Sequence, residues 1–117
     1  MACEIINSMI FDRYAGSEGV VIIDLRDEQA FRKKHIRGAV NVSPEKLDEI
    51  LDRSRRMGQR TIRINDRVLR QSDIILLYCS RGAQSFLMCR KMAVFGFNVK
   101  SLSGGIDRYR GRYLTVG

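Results

Sequence analysis

Ile74-Ile-Leu-Leu-Tyr78 runs without a break into Cys79, and after the short polar stretch Ser80-Arg-Gly82 the apolar residues return at helical spacing. The run is too short for a helix of its own and rich enough in β-branched and aromatic residues to be a buried strand. From Ser85 onward, Phe86, Cys89 and Ala93 fall on one flank and Met88, Met92 and Phe95 on another, which predicts a helix with a wide apolar face. Cys79 is therefore expected where a strand ends and a helix is about to begin. A loop at that point turns backbone N–H groups inward at the helix N-terminus and makes an anion site. A thiol held there is biased toward thiolate by the same N–H groups. The pattern predicts a nucleophile in a cradle, with Gly82 supplying the backbone freedom the turn needs.

The rest of the chain limits what that cradle belongs to. With 117 residues, 44% hydrophobic and 29% charged, the sequence is expected to form a single domain over 1–117 with room for one core. No stretch reaches the roughly 18 apolar residues of a membrane helix, and the N-terminus does not read as a signal peptide. The odd count of three cysteines, Cys3, Cys79 and Cys89, lacks a CxxC or metal-ligand spacing. Reduced thiols, a cytoplasmic location, no metal and no disulfide frame are the expectation. Cys89 reads as a core residue and Cys3 as an incidental terminal thiol. The net charge of +8 attracts anions. Few aromatics accompany the basic clusters, so a stacking platform for nucleic acid is not expected.

In chain order, Glu4–Asn7 reads as an opening strand, followed by a helix capped by Ser8 and stopped at Gly16. Val20-Val-Ile-Ile-Asp24 is a second continuous apolar run, as in a parallel sheet covered on both faces. Asp27 caps a helix expected to reach His35, and Ala39–Val42 reads as a short strand. Ser43-Pro44 opens a further helix with Leu47, Ile50 and Leu51 as its buried stripe. A basic insertion over 53–72 follows, with a small hairpin through Ile62, Ile64 and Val68-Leu69 turning at Asn65-Asp66. Asn98–Leu102 is the last strand, and Ser103-Gly-Gly105 leads into a turn or helix around Tyr109. This alternation predicts an α/β fold: an open, mainly parallel sheet of about five strands with helices on both faces. Ligands gather beyond the carboxyl ends of such strands, which groups Asp24 and Arg26 with Cys79.

Val21-Ile-Ile-Asp-Leu-Arg26, with Glu28, Phe31, His35-Ile36, Gly38-Ala39 and Asn41-Val42, resembles the N-terminal signature of rhodanese-like domains. Cys79-Ser-Arg-Gly82 with Ser85 is similar to their active-site loop, and Leu102-Ser-Gly-Gly105 to their double-glycine motif. The resemblance implies a sulfurtransferase that takes a sulfane sulfur from an anionic, thiosulfate-like donor as a persulfide on Cys79. The sulfur then passes to a thiophilic acceptor, cyanide or a thiol, including a protein thiol, without cofactor or metal. The N–H groups of Ser80, Arg81, Gly82, Ala83 and Gln84 would hold the persulfide charge, and Arg81 would help bind the donor. Asp24, Arg26 and Ser85 would support the loop. Arg37 stands where the family usually has proline, and Tyr109 replaces its tryptophan. The basic insertion is expected to cover or flank the site.

Two other classes compete. A cysteine phosphatase or arsenate reductase also places a cysteine in such a cradle, but a phosphatase clamps the phosphoryl oxygens with an arginine at the position of Ser85. A regulatory rhodanese-like binding module keeps the fold without the chemistry. His35, the only histidine, is read as a structural hydrogen-bonding residue rather than a base. Nothing in the pattern fixes an oligomeric state.

Overall fold

The computed structural model describes residues 3–117. Its centre is a five-stranded sheet in the order β1 (Cys3–Ile6), β8 (Asn98–Leu102), β7 (Ile74–Tyr78), β2 (Val20–Asp24), β4 (Val40–Asn41), every neighbouring pair parallel. β7 lies in the middle, with Val20–Asp24 facing Ile74–Tyr78 residue for residue. The expected open parallel sheet is what forms, and both apolar runs take the strand bounds read from the sequence.

The two faces of the sheet bury separate cores. On one side α3 (Pro44–Arg56) and α4 (Ala83–Phe95) bring Leu47, Leu51, Met88, Cys89 and Met92 onto Val21, Ile23, Ile75, Leu77 and Val99. On the other, α1 (Ser8–Ala15) packs Phe11 against Ile22, Leu76, Tyr78 and Leu102. The alternation of β-strand side chains fixes this division, since residues two apart share a face. The hairpin of β5 (Ile62–Ile64) and β6 (Arg67–Leu69) also forms, with Asn65 in the left-handed turn conformation, φ 53°. Its Ile62, Ile64 and Leu69 complete the core under α3.

Several local expectations shift. The cap of α1 is Asn7, whose Oδ1 accepts from the Ile10 N–H at 2.9 Å, while Ser8 Oγ accepts from Arg110 N–H. α2 (Glu28–Lys33), capped by Asp27 as expected, stops short of His35. The Arg26 guanidinium donates to the Lys34 carbonyl and the chain turns extended there. His35 and Ile36 then form β3, paired antiparallel with β9 (Leu114–Thr115), a pairing of the chain's tail that the sequence did not announce. His35 keeps a structural role, stacked on Phe31 and bonded through Nδ1 to the Phe31 carbonyl. Among the described residues no helix is long and apolar enough to cross a membrane.

The cysteines depart most from expectation. Cys3 and Cys89 are joined as a disulfide, with Cα atoms 5.5 Å apart, and Cys79 is the only free cysteine among the described residues. Spacing along the chain gave no hint, because the bridge spans 86 residues and is created by packing. β1 pairs with β8 and packs beneath α4, which sets Cys3 against the buried flank carrying Cys89. Cys89 is fully buried, as read, but Cys3 is not incidental. The expectation of reduced thiols, and the support it lent to a cytoplasmic location, is corrected. A bridge closing so long a loop restricts the unfolded chain and contributes about 2–4 kcal/mol. Adding dithiothreitol should lower the urea midpoint accordingly, and Cys89→Ser should make the midpoint indifferent to reductant. A wild-type midpoint unmoved by reductant would refute the bridge's contribution.

Candidate active site

Cys79 follows directly on β7, the central strand, at the carboxyl edge of the sheet. Its side chain is nearly buried, yet it lines a cavity of about 450 Å³ together with Leu25, Arg26, Ser43, Arg81 and Gln84. Strand-to-helix connections in a parallel sheet all open on this edge. Helix starts therefore converge here: Asp27 and Ala30 from α2, Pro44 and Glu45 from α3, Ala83 and Gln84 from α4 all line the same cavity. Unpaired N–H groups and the positive ends of the helix dipoles make such a convergence favourable to anions. Arg81 adds an exposed guanidinium with no ion pair among the described residues. Asp27 and Glu45 on the opposite walls temper that charge.

The sulfur is held by the backbone. Gly82 N–H donates to Sγ at 3.1 Å and Ser85 N–H at 3.4 Å, with Ser85 Oγ 3.5 Å away. Gly82 sits at φ 104°, a conformation open to glycine and strained for other residues. The turn after β8 then locks the loop from behind. Ile106 N–H donates to the Cys79 carbonyl at 2.9 Å and Asp107 N–H to the Ser80 carbonyl at 3.1 Å. Holding those carbonyls fixes the start of the loop, from which the chain turns to bring Gly82 and Ser85 N–H to the sulfur. Gly105 permits the approach, for a Cβ there would lie 2.5 Å from the Cys79 carbonyl oxygen. The double glycine is thus more than a tight turn; it is the back wall of the loop.

Asp24 and Arg26 form the neighbouring wall. The carboxylate, fully buried at the end of β2, accepts from Arg26 Nη2 at 2.7 Å and from Arg26 N–H at 2.8 Å. Arg26 also lies over the Tyr78 ring, 5.6 Å from its centroid. Burial opposes the guanidinium's charge, but the bonds to Asp24 outweigh it and hold Arg26 above the ordinary arginine range. Burial and the Asp24 charge push the Tyr78 hydroxyl well above the usual tyrosine range, so it stays protonated and accepts from Ile36 N–H.

Of the residues read from the sequence, Ser80, Arg81, Ala83, Gln84 and Arg26 line the cavity with Cys79, while Gly82 and Ser85 hold the sulfur from within. Asp24 stands behind Arg26. No residue of 53–72 lines this cavity. The reason is α3, which starts at the cavity and carries the chain about 15 Å to the opposite edge before the basic segment begins. The expected basic flap is corrected: Arg53, Arg55, Arg56, Arg60 and Arg63 are exposed away from Cys79. Ser43, Pro44 and Glu45 were missed as cavity residues, although their place at a helix start after a parallel strand could have marked them. Ser101 was missed as well: on β8 it is fully buried, with its hydroxyl 2.8 Å from Ser85 Oγ. Its own strand, Asn98-Val-Lys-Ser-Leu102, is mixed in polarity and gave no signal that this serine is buried.

An open parallel sheet with a free thiol at the end of its middle strand, cradled by backbone N–H groups, defines an α/β domain built around one cysteine. The chain belongs to the rhodanese-like domain family, whose model matches residues 10–112. It is 26% identical over 97 residues to the thiosulfate sulfurtransferase GlpE of Coxiella burnetii (strain RSA 493 / Nine Mile phase I), covering 82% of this chain and 77% of that protein. It is 27% identical over 90 residues to a tRNA sulfurtransferase of Desulfurococcus amylolyticus, covering 77% of this chain but only 15% of that much longer protein. Among solved structures, a rhodanese-like domain protein from Staphylococcus aureus superposes with a TM-score of 0.70 at 16% identity, over 97% of this chain and 98% of that one.

Proposed function

We propose that the protein is a sulfurtransferase that carries a sulfane sulfur on Cys79, with a thiosulfate-like anion as donor. The observation that carries this reading is the pair of backbone N–H groups, from Gly82 and Ser85, aimed at the Cys79 sulfur. The thiolate attacks the outer sulfur of thiosulfate; the sulfur–sulfur bond of the donor breaks and its electron pair leaves with sulfite. Cys79 then carries a persulfide whose terminal sulfur bears the negative charge. The free N–H groups of the loop, from Ser80 to Gln84, are the charge-holding groups in this scheme, and Arg81 draws the donor to the cavity mouth. Attack on the terminal sulfur by cyanide or a thiol, that of another protein included, frees the product and restores the Cys79 thiolate.

Family membership and the resemblance to GlpE support this chemistry. Ser85, buried behind the sulfur, argues against a phosphatase, since no arginine fork stands there to grip three phosphoryl oxygens. Incubation with thiosulfate should add one sulfur atom to the intact mass, and cyanide should remove it as thiocyanate. Cys79→Ala should abolish the adduct and lower thiocyanate formation by more than about a thousandfold. An unmodified wild-type mass, with no thiocyanate formed, would overturn the reading for thiosulfate donors.

A further inference from the structure

Ser101 belongs to no motif singled out in the sequence, yet it ends a chain of hydroxyls that leads to the sulfur. Ser101 Oγ lies 2.8 Å from Ser85 Oγ, and Ser85 Oγ lies 3.5 Å from Cys79 Sγ. Both serines are buried, Ser85 at 0% and Ser101 at 1% exposure. The register explains the meeting. Ser101 pairs with Leu77 of β7 and shares with Val99 the sheet face on which α4 packs, so its hydroxyl meets the first turn of that helix.

Proton counting then assigns directions. A serine hydroxyl holds one proton and can accept through its lone pairs. Ser85 Oγ has three neighbours: the Gly82 carbonyl at 3.2 Å, Ser101 Oγ and Cys79 Sγ. While Cys79 is a thiol, its S–H donates to Ser85, whose proton can go to the Gly82 carbonyl. Once Cys79 is a thiolate, the sulfur can only accept, and the Ser85 proton is the side-chain donor within reach. Either serine could donate in their contact, but with the Ser85 proton committed to the thiolate Ser101 is left as the donor. That bond fixes the Ser85 oxygen as acceptor and polarises its O–H toward the sulfur.

We propose that Ser101 is a positioning residue for Cys79: a buried donor that acts through Ser85 to favour the thiolate. This rests on Cys79 being the reacting thiol, but not on which donor supplies sulfur. The charged groups around Cys79 are Arg26 and Asp27 after β2, with Asp24 behind Arg26, Glu45 on α3, Arg81 in the loop, and Asp107 and Arg108 in the turn behind it. Lys91 on α4 is paired with Asp48 and Asp52. All of these stay in every variant compared, so a difference between variants isolates the hydroxyl.

The test is the pH profile of Cys79 alkylation by iodoacetamide, read by mass on protein with the Cys3–Cys89 bridge intact. Ser101→Ala should displace the profile toward higher pH and slow alkylation roughly threefold on its acid side. Ser101→Thr should restore the wild-type profile, and Ser101→Val, matched to threonine in shape, should not. In a Ser85→Ala background the Ser101→Ala shift should vanish, because the intermediary is gone. Melting curves confirm that each variant is folded. An unmoved pH profile in folded Ser101→Ala, equal profiles for threonine and valine, or a full shift in the absence of Ser85 would each overturn the relay. Because alkylation requires no sulfur donor, failure of the relay and failure of sulfurtransferase activity are read separately.

Discussion

Gly105→Ala should destabilise the fold by at least about 3 kcal/mol and reduce Cys79 reactivity by more than about a hundredfold. Two independent effects act at this position. Its backbone, φ 65° and ψ −167°, lies in a region that essentially only glycine occupies. The added methyl would also press on the carbonyl oxygens of Cys79 and Ser80. Those carbonyls cannot swing aside cheaply, because Ile106 and Asp107 N–H hold them at 2.9 and 3.1 Å. Relief means pushing the loop away from the turn, which loses both bonds and frees the Cys79–Ser80 and Ser80–Arg81 peptide planes that lead into the Gly82 turn. Gly104→Ala is the control. It shares a positive φ, 73°, and its methyl would press on the Arg108 side chain, at Cδ 2.7 Å and Cβ 2.9 Å, but not on the carbonyls that hold the cysteine loop. It should cost about 2 kcal/mol, less than Gly105→Ala, and leave the sulfur cradle in place. Urea midpoints and alkylation rates for the pair check the claim, and equal behaviour of the two variants would refute the back-wall role of Gly105.

That contrast marks what could and could not be read from residues alone. Val20–Asp24 and Ile74–Tyr78 took their strand bounds directly, because a continuous apolar run buried on both faces has few other uses. Cys79, Gly82 and Ser85 were legible for a related reason: a strand, a short loop and a helix start dictate where backbone N–H groups point. The information that stayed hidden was of another kind. The Cys3–Cys89 bridge, the β3–β9 pairing and the Ser85–Ser101 bond all join residues far apart in the chain, and only the packed sheet brings them together. The basic segment shows the converse error. Its charge suggested contact with an anionic site, but direction along α3 decided the matter and carried it to the far edge. Lys100 belongs with these cases. Lysine reads as surface, yet it is buried on β8, paired with Glu4 on the neighbouring strand and set over the Tyr14 ring.

Asp24→Asn should cost about 3 kcal/mol or more, the second large effect the site predicts. The pair is almost wholly withdrawn from water, with side-chain exposures of 8% for Arg26 and 0% for Asp24. Asn keeps the shape but removes the charge, and its amide turns a donor toward the guanidinium donors. A buried cation is then left without its counterion. Arg26→Met should be the milder single change, because a stranded carboxylate can take up a proton whereas a guanidinium cannot shed one. The double variant should recover much of the loss, since two neutral side chains strand no charge. Sulfur transfer gives a second readout. Arg26 lies over Tyr78, the residue before Cys79, and its wall of the cavity stands only while Asp24 holds it. Asp24→Asn should therefore lower transfer from thiosulfate as well as stability, whereas Arg81→Gln, at an exposed residue, should leave folding stability nearly unchanged. If Asp24→Asn were as stable as Arg26→Met, with no recovery in the double variant, the pair would not be the support that its geometry makes it.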